Sequence, residues 1–150
     1  MASKKEIVKY LTISYWMEIE TVMNYIANSI NLDGVRAEEI KKSLQVDIAE
    51  EIAHAQTLAK RIKEIDGVVP SSMEFKAVQK FLQSHKDSTD VVSVIEGVIE
   101  AENGAIAQYN KIIKLCEGVD YVTQDLVIGL LGQEESHKIE FRGFLKEYKK

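Results

Sequence analysis

The sequence predicts an all-α fold: a four-helix bundle made of two antiparallel hairpins joined by a long crossover. Three observations carry this expectation. Helix breakers are scarce, with one Pro and eight Gly in 150 residues, and three breaks stand out, at Asp33-Gly34, at Gly67 through Pro70, and at Gly118 with Asp120. Between these points apolar residues recur every three or four positions, and no alternating strand pattern competes. Two of the three connections span only a few residues, whereas the middle one, about two dozen long, can run back along the bundle.

The first helix, α1, is expected over about 4–31, α2 over about 36–65, α3 over about 89–116 and α4 over about 121–148. In α1 a stripe of Leu11, Tyr15, Val22 and Tyr25 brackets Glu18, with Ser14 the one small polar residue beside it. In α2 Leu44, Ile48, Ala55 and Leu58 bracket Glu51 at the same offsets, and His54 follows one turn later. The middle connection holds Met73–Leu82, a stretch compatible with a short extra helix. In α3 Ile95, Val98, Ile99, Ala105, Ile106 and Tyr109 surround Glu102. In α4 Val127, Leu130, Leu131 and Phe141 surround Glu134, with His137 three residues on.

Composition narrows the function classes. At 45% hydrophobic and 29% charged, the chain is neither disordered nor membrane-like, and its length suits one domain over 1–150. The single cysteine, Cys116, excludes a disulfide framework, a thiolate zinc site and a four-Cys iron–sulfur cluster. A net charge of -5 and the lack of a basic tail argue against nucleic acid as the main partner. No apolar run approaches a membrane span, and the stretch after Met1 is broken by Lys9 and Glu18, a poor signal peptide. The expectation is a soluble cytoplasmic protein without a membrane partner.

The chemistry lies in what interrupts the stripes. Each helix points one carboxylate inward, and the second helix of each hairpin adds a His at Glu-x-x-His spacing. At 1.5 Å per residue the members of each hairpin reach the same height, roughly 20–25 Å from the turn. Glu18 to Glu51 is 33 residues and Glu102 to Glu134 is 32, and Tyr25 and Tyr109 each follow their Glu by seven, so the chain reads as a repeated hairpin. Buried carboxylates need shared protons or cations. One Glu from each of two helices plus Glu-x-x-His from the other two is the ligand set for two metal ions in a bundle core. Oxygen-rich ligands with two imidazoles suit iron or manganese better than zinc or calcium. The alternative is a polar core satisfied without metal, in a structural or partner-binding bundle.

Neighbouring groups read as less central. Glu20, Glu50, Glu100 and Glu135 project to the sides, as solvated or interface carboxylates, and Glu100 shares a polar face with Glu96, Gly97, Asn103 and Gly104. Asp47, one turn before Glu51, fits either a metal access path or a solvated helix face. Trp16, Met17 and Met23 fit a subunit contact or a second core face equally well. His85 is expected to be exposed, and Cys116 to be a small packed residue.

Four segments carry a family resemblance: Glu18-Ile-Glu-Thr-Val-Met-Asn-Tyr25, Glu50-Glu51-Ile-Ala-His54-Ala55, Glu102-Asn-Gly-Ala-Ile-Ala-Gln-Tyr109 and Gln133-Glu134-Glu135-Ser-His137. With them the chain resembles the ferritin-like di-iron carboxylate superfamily, and within it the bacterioferritins. The resemblance implies that Glu18, Glu51, His54, Glu102, Glu134 and His137 form the catalytic centre and bind two irons, with manganese as an alternative. It makes Glu51 and Glu134 the bridging carboxylates, and Tyr25 and Tyr109 hydroxyls that hydrogen-bond to ligand carboxylates. It further implies a ferroxidase that oxidises Fe(II) with O2 or H2O2 for iron storage and detoxification, in a homo-oligomer.

Two departures qualify the likeness. Bacterioferritins carry a haem-ligating Met between the Glu and His of α2, where this chain has Ile52-Ala53, so no haem is expected. The short fifth helix of cage ferritins has no counterpart after α4, which leaves a dimer, a 12-mer and a 24-mer shell all open. A peroxide-reducing protein of the rubrerythrin type without a rubredoxin module would use the same ligands. A manganese catalase is disfavoured by chain length.

Overall fold

A computed structural model describes residues 1–150 as four long helices: α1 Lys4–Asn31, α2 Glu38–Glu64, α3 Val91–Cys116 and α4 Tyr121–Tyr148. Three of them start where a side chain takes over a free backbone N–H. The Ser3 hydroxyl accepts from Glu6, and the Asp90 and Asp120 carboxylates accept from Ser93 and Thr123. This cap on Asp90 places the start of α3 two residues later than the expected 89. A 3-10 turn at Val35–Ala37 likewise delays α2 from 36 to Glu38. Gly34 and Gly118 adopt φ of 99° and 69°, the left-handed region that lets the chain reverse within a few residues.

The middle connection corrects one expectation. Met73–Leu82 is not a helix; only a 3-10 turn at Ser72–Glu74 forms, and the following residues run without regular structure. The physical reason is competition for backbone groups. The Glu20 carboxylate on α1 accepts from the N–H groups of Val78 and Gln79, and Asn28 donates to the Leu82 carbonyl. On the other side Gly97 of α3 lets the connection approach, since a Cβ there would stand 2.5 Å from the Phe81 carbonyl oxygen. The crossover is thus pinned between α1 and α3.

Helix α1 packs along α2, α3 packs along α4, and α1 meets α3 between the hairpins. The apolar core divides into two layers. One holds Tyr25, Ile40, Leu44, Ile95, Val98 and Phe141; the other holds Leu11, Leu58, Ile62, Tyr109, Ile112 and Val127. Each fully buried side chain of this size contributes about 1.5–3 kcal/mol, which offsets the cost of a polar layer between them. No helix is long and apolar enough to cross a membrane.

Candidate metal centre

The layer between the two apolar clusters is where the interruptions of the four stripes meet. Glu18, Glu51, Glu102 and Glu134 are each at most 2% exposed, and His54 and His137 are buried with them. Their ligand atoms form two overlapping groups: Glu18, Glu51, His54 and Glu134, and Glu51, Glu102, Glu134 and His137. Within each group the ligand atoms lie within 4.8 Å of one another. Glu51 and Glu134 belong to both.

The two shared carboxylates divide their oxygens between the two histidines. Glu51 Oε2 lies 3.8 Å from His54 Nδ1 and Glu51 Oε1 lies 3.3 Å from His137 Nδ1. Glu134 Oε1 lies 2.7 Å from His54 Nδ1 and Glu134 Oε2 lies 3.9 Å from His137 Nδ1. The two imidazole rings face each other nearly parallel, with centroids 6.4 Å apart. The other two carboxylates are each held by one oxygen only. Tyr109 donates to Glu18 Oε1 at 2.6 Å, and Tyr25 donates to Glu102 Oε1 at 2.8 Å.

What remains is a set of buried atoms with no hydrogen-bond partner: Glu18 Oε2, Glu51 Oε1, Glu102 Oε2, Glu134 Oε1, His54 Nδ1 and His137 Nδ1. The short approach of His54 Nδ1 to Glu134 Oε1 is not aligned as a hydrogen bond. Buried polar atoms are seldom left unpaired, and six in one layer, all oxygen or imidazole nitrogen, are the donor set of divalent iron or manganese. The residues fit such ions.

The histidines are turned for this role from behind. His54 Nε2 meets Gln133 Oε1 at 2.5 Å, and His137 Nε2 meets the Glu50 carboxylate, with Asp47 Oδ1 at 3.7 Å. With a cation bound, these acceptors would keep the proton on Nε2 and leave the Nδ1 lone pair for the metal.

Without cations, the layer is held together by protons. Burial pushes the Glu18 carboxyl up to about 7, with the Glu134 charge adding to it, and burial likewise drives Glu102 well above the carboxylate range. Burial would raise Glu134 too, but Glu102 and the two imidazoles outweigh it and hold that carboxyl down at about 2. Burial alone would lower His54 and His137; the carboxylates around each ring overcome it and push both up to about 10. Burial drives the Tyr25 and Tyr109 hydroxyls well above their ordinary value, as do the carboxylates they touch, so both stay protonated donors.

Several neighbours differ from expectation. Glu20 is neither solvated nor at an interface: it is buried and anchors the crossover. Glu50 is partly exposed, yet contacts His137, and Asp47 is buried, with burial pushing its carboxyl up to about 7. Asp47, Glu50 and His137 line a cleft of about 480 Å³ that opens to solvent. Glu100 and Glu135 are exposed. The three apolar residues of α1 separate: Trp16 packs at a tilt against Phe75 of the crossover, Met17 lies against Gly104, and Met23 is exposed. His85 is exposed and Cys116 is packed in the core. Gln133 was not singled out by sequence reasoning, although one signal was available: Glu50 and Gln133 each stand immediately before the Glu of a Glu-x-x-His.

Comparison with known proteins bears on the family and the fold. Residues 8–150 match a family model described as a ferritin-like domain. The chain is 25% identical over 135 residues to a bacterioferritin of Desulfovibrio desulfuricans, covering 89% of this chain and 71% of that protein. It is 25% identical over 130 residues to a DNA protection during starvation protein of Pyrococcus furiosus, covering 85% and 70%. Among solved structures, a ferritin-like diiron-carboxylate protein of Bacillus anthracis superposes with a TM-score of 0.84 at 21% identity, covering 97% of this chain and 99% of that one. A dodecameric thioferritin of Bacteroides fragilis superposes with a TM-score of 0.87 at 24% identity, covering 98% and 88%. At these identities the superpositions establish the shared fold.

Proposed function

The chain belongs to the ferritin-like domain family, and from that premise we propose that it is a di-iron ferroxidase, oxidising Fe(II) with O2 or peroxide for iron storage or detoxification as a homo-oligomer. The observation that carries the reading is the set of six unpartnered buried ligand atoms contributed by all four helices. The bacterioferritin among its relatives and the dodecameric thioferritin among its structural neighbours support the storage role and the assembly.

Glu18, Glu51, His54, Glu102, Glu134 and His137 would hold two ferrous ions, which would supply the two electrons that O2 or peroxide takes up. The chain's own residues prepare for them. Glu51 and Glu134 each offer one oxygen to either histidine side, so they serve both positions. Glu18 and Glu102 serve one position each; their tyrosine hydroxyls fix one oxygen and leave Oε2 free to turn. Protons that Glu18, Glu102 and the imidazoles hold in the metal-free protein leave as cations arrive. The apolar layers above and below keep bulk water from the reacting atoms.

The test is the rate at which Fe(II) turns ferric in air, read by absorbance, with and without metal-free protein. The wild type should accelerate it well beyond buffer, and Glu51→Ala and Glu134→Ala should abolish the acceleration while circular dichroism stays helical. Oxidation no faster than in buffer would instead support a structural bundle. Native mass then reads the assembly: an oligomer of one size is expected, and a monomer would contradict a storage shell.

A further inference from the structure

Both Glu-x-x-His sequences carry one more functional residue, and its contact is exchanged between helices. Glu50 precedes Glu51 on α2, but its carboxylate meets Nε2 of His137 on α4. Gln133 precedes Glu134 on α4, but its amide oxygen meets Nε2 of His54 on α2 at 2.5 Å. Each helix therefore orients the histidine of the other.

The two metal positions draw on the same kinds of ligand. Each has one imidazole Nδ1, one Glu held by a single tyrosine hydroxyl, and an oxygen from each of the shared Glu51 and Glu134. The match breaks at the outward nitrogens. His137 Nε2 faces a carboxylate, and a second one, Asp47, stands 3.7 Å away with its other oxygen buried and unpartnered. His54 Nε2 faces a neutral amide, and its only carboxylate approaches within 4.0 Å are made by Nδ1. A negative acceptor draws on the Nε2 proton more strongly than an amide oxygen does and leaves more electron density on Nδ1, the atom that would bind the cation.

Resting on the dinuclear reading above, we infer that Glu50 and Gln133 are positioning residues that make the two metal positions unequal, so that the His137 position binds a divalent cation more tightly and fills first. Neither touches the cations; each acts through a ring. The device is a difference of charge behind the two rings: Glu50 and Asp47 on one side, Gln133 on the other.

Calorimetric titration of the metal-free full chain with Fe(II) under anaerobic conditions reads it without any turnover. The wild type should take up two ions in two steps separated by about ten-fold or more in affinity. Glu50→Gln keeps the size and the hydrogen-bond acceptor but removes the charge; it should weaken the tighter step and leave the other. Asp47→Asn added to it should remove what tightening remains. Gln133→Glu should strengthen the weaker step alone. Gln133 is exposed and Glu50 partly so, and each exchange, like Asp47→Asn at its buried site, keeps the size of the side chain; circular dichroism checks that every variant stays helical. Two equal steps in the wild type, steps that none of the variants moves, or a Glu50→Gln effect on the weaker step would overturn the inference. A wild type that binds fewer than two ions would overturn the dinuclear reading instead, which keeps the two failures distinct.

Discussion

The Tyr109 hydroxyl on α3 donates to Glu18 on α1 at 2.6 Å, and Tyr25 on α1 returns the contact to Glu102 on α3 at 2.8 Å. The two helices of different hairpins thus fix each other's inward carboxylates. Replacing either tyrosine by Phe frees an oxygen that the fold had oriented. Tyr25→Phe and Tyr109→Phe should each weaken Fe(II) binding by about ten-fold or more in an anaerobic titration. Unchanged affinity would mean that the hydroxyls only fill space.

Glu102 and Glu100 lie two residues apart, one buried in the centre and the other exposed. Glu102→Ala should slow Fe(II) oxidation by orders of magnitude without lowering metal-free stability, because a buried carboxylate without a cation is a burden on the fold. Glu100→Ala should preserve oxidation and change unfolding free energy by no more than about 0.5 kcal/mol. The pair on α1 behaves differently. Glu18→Ala should impair oxidation, whereas Glu20→Ala should spare it but destabilise by about 1–3 kcal/mol, since the N–H groups of Val78 and Gln79 lose their acceptor. Urea unfolding and an oxidation assay on the four variants separate the two roles.

Metal-free protein should become less stable as pH rises from about 5 to about 9. Glu18 and Asp47 are pushed from 4.5 and 3.8 up to about 7, and both histidines from 6.5 up to about 10. In each case the native chain holds a proton that the unfolded chain has released, so stability is full below the unfolded pKa and is lost as pH climbs through the native one. Glu134, held down at about 2 against 4.5, has the opposite sign, but its contribution is lost only as pH falls below about 4.5. Saturating Fe(II) should reverse the trend, because cations bind the deprotonated ligands. Urea midpoints at several pH values check this; a metal-free midpoint that rises across the range would contradict the proton-held layer.

The helices and the shared height of the six inward groups were legible because both follow from period and length. A 3.6-residue repeat puts Leu11, Glu18 and Tyr25 on one face whatever surrounds them, and near-equal distances from the turns align Glu18 with Glu51 and Glu102 with Glu134. The crossover was not legible. Met73–Leu82 has residues that could form a helix, but its shape is set by Glu20 and Asn28, more than fifty residues away in sequence, which claim the backbone groups a helix would use. For the same reason Glu20 looked solvated: the segment that buries it has no periodicity of its own. The sequence reads Glu50 as a solvated or interface carboxylate and does not single out Gln133, because their partners lie on the other hairpin, and periodicity within one helix carries no information about which side chain meets it from across the core.

The account stands or falls on how many cations one chain holds. Metal-free protein titrated anaerobically with Fe(II) and weighed by native mass spectrometry counts them directly. The expected result is saturation at two ions per chain for the wild type and at one for Glu102→Ala, which lacks a ligand used by one position alone. Saturation of the wild type at one ion, or none, would contradict the claim that these four helices were built around a pair of metals.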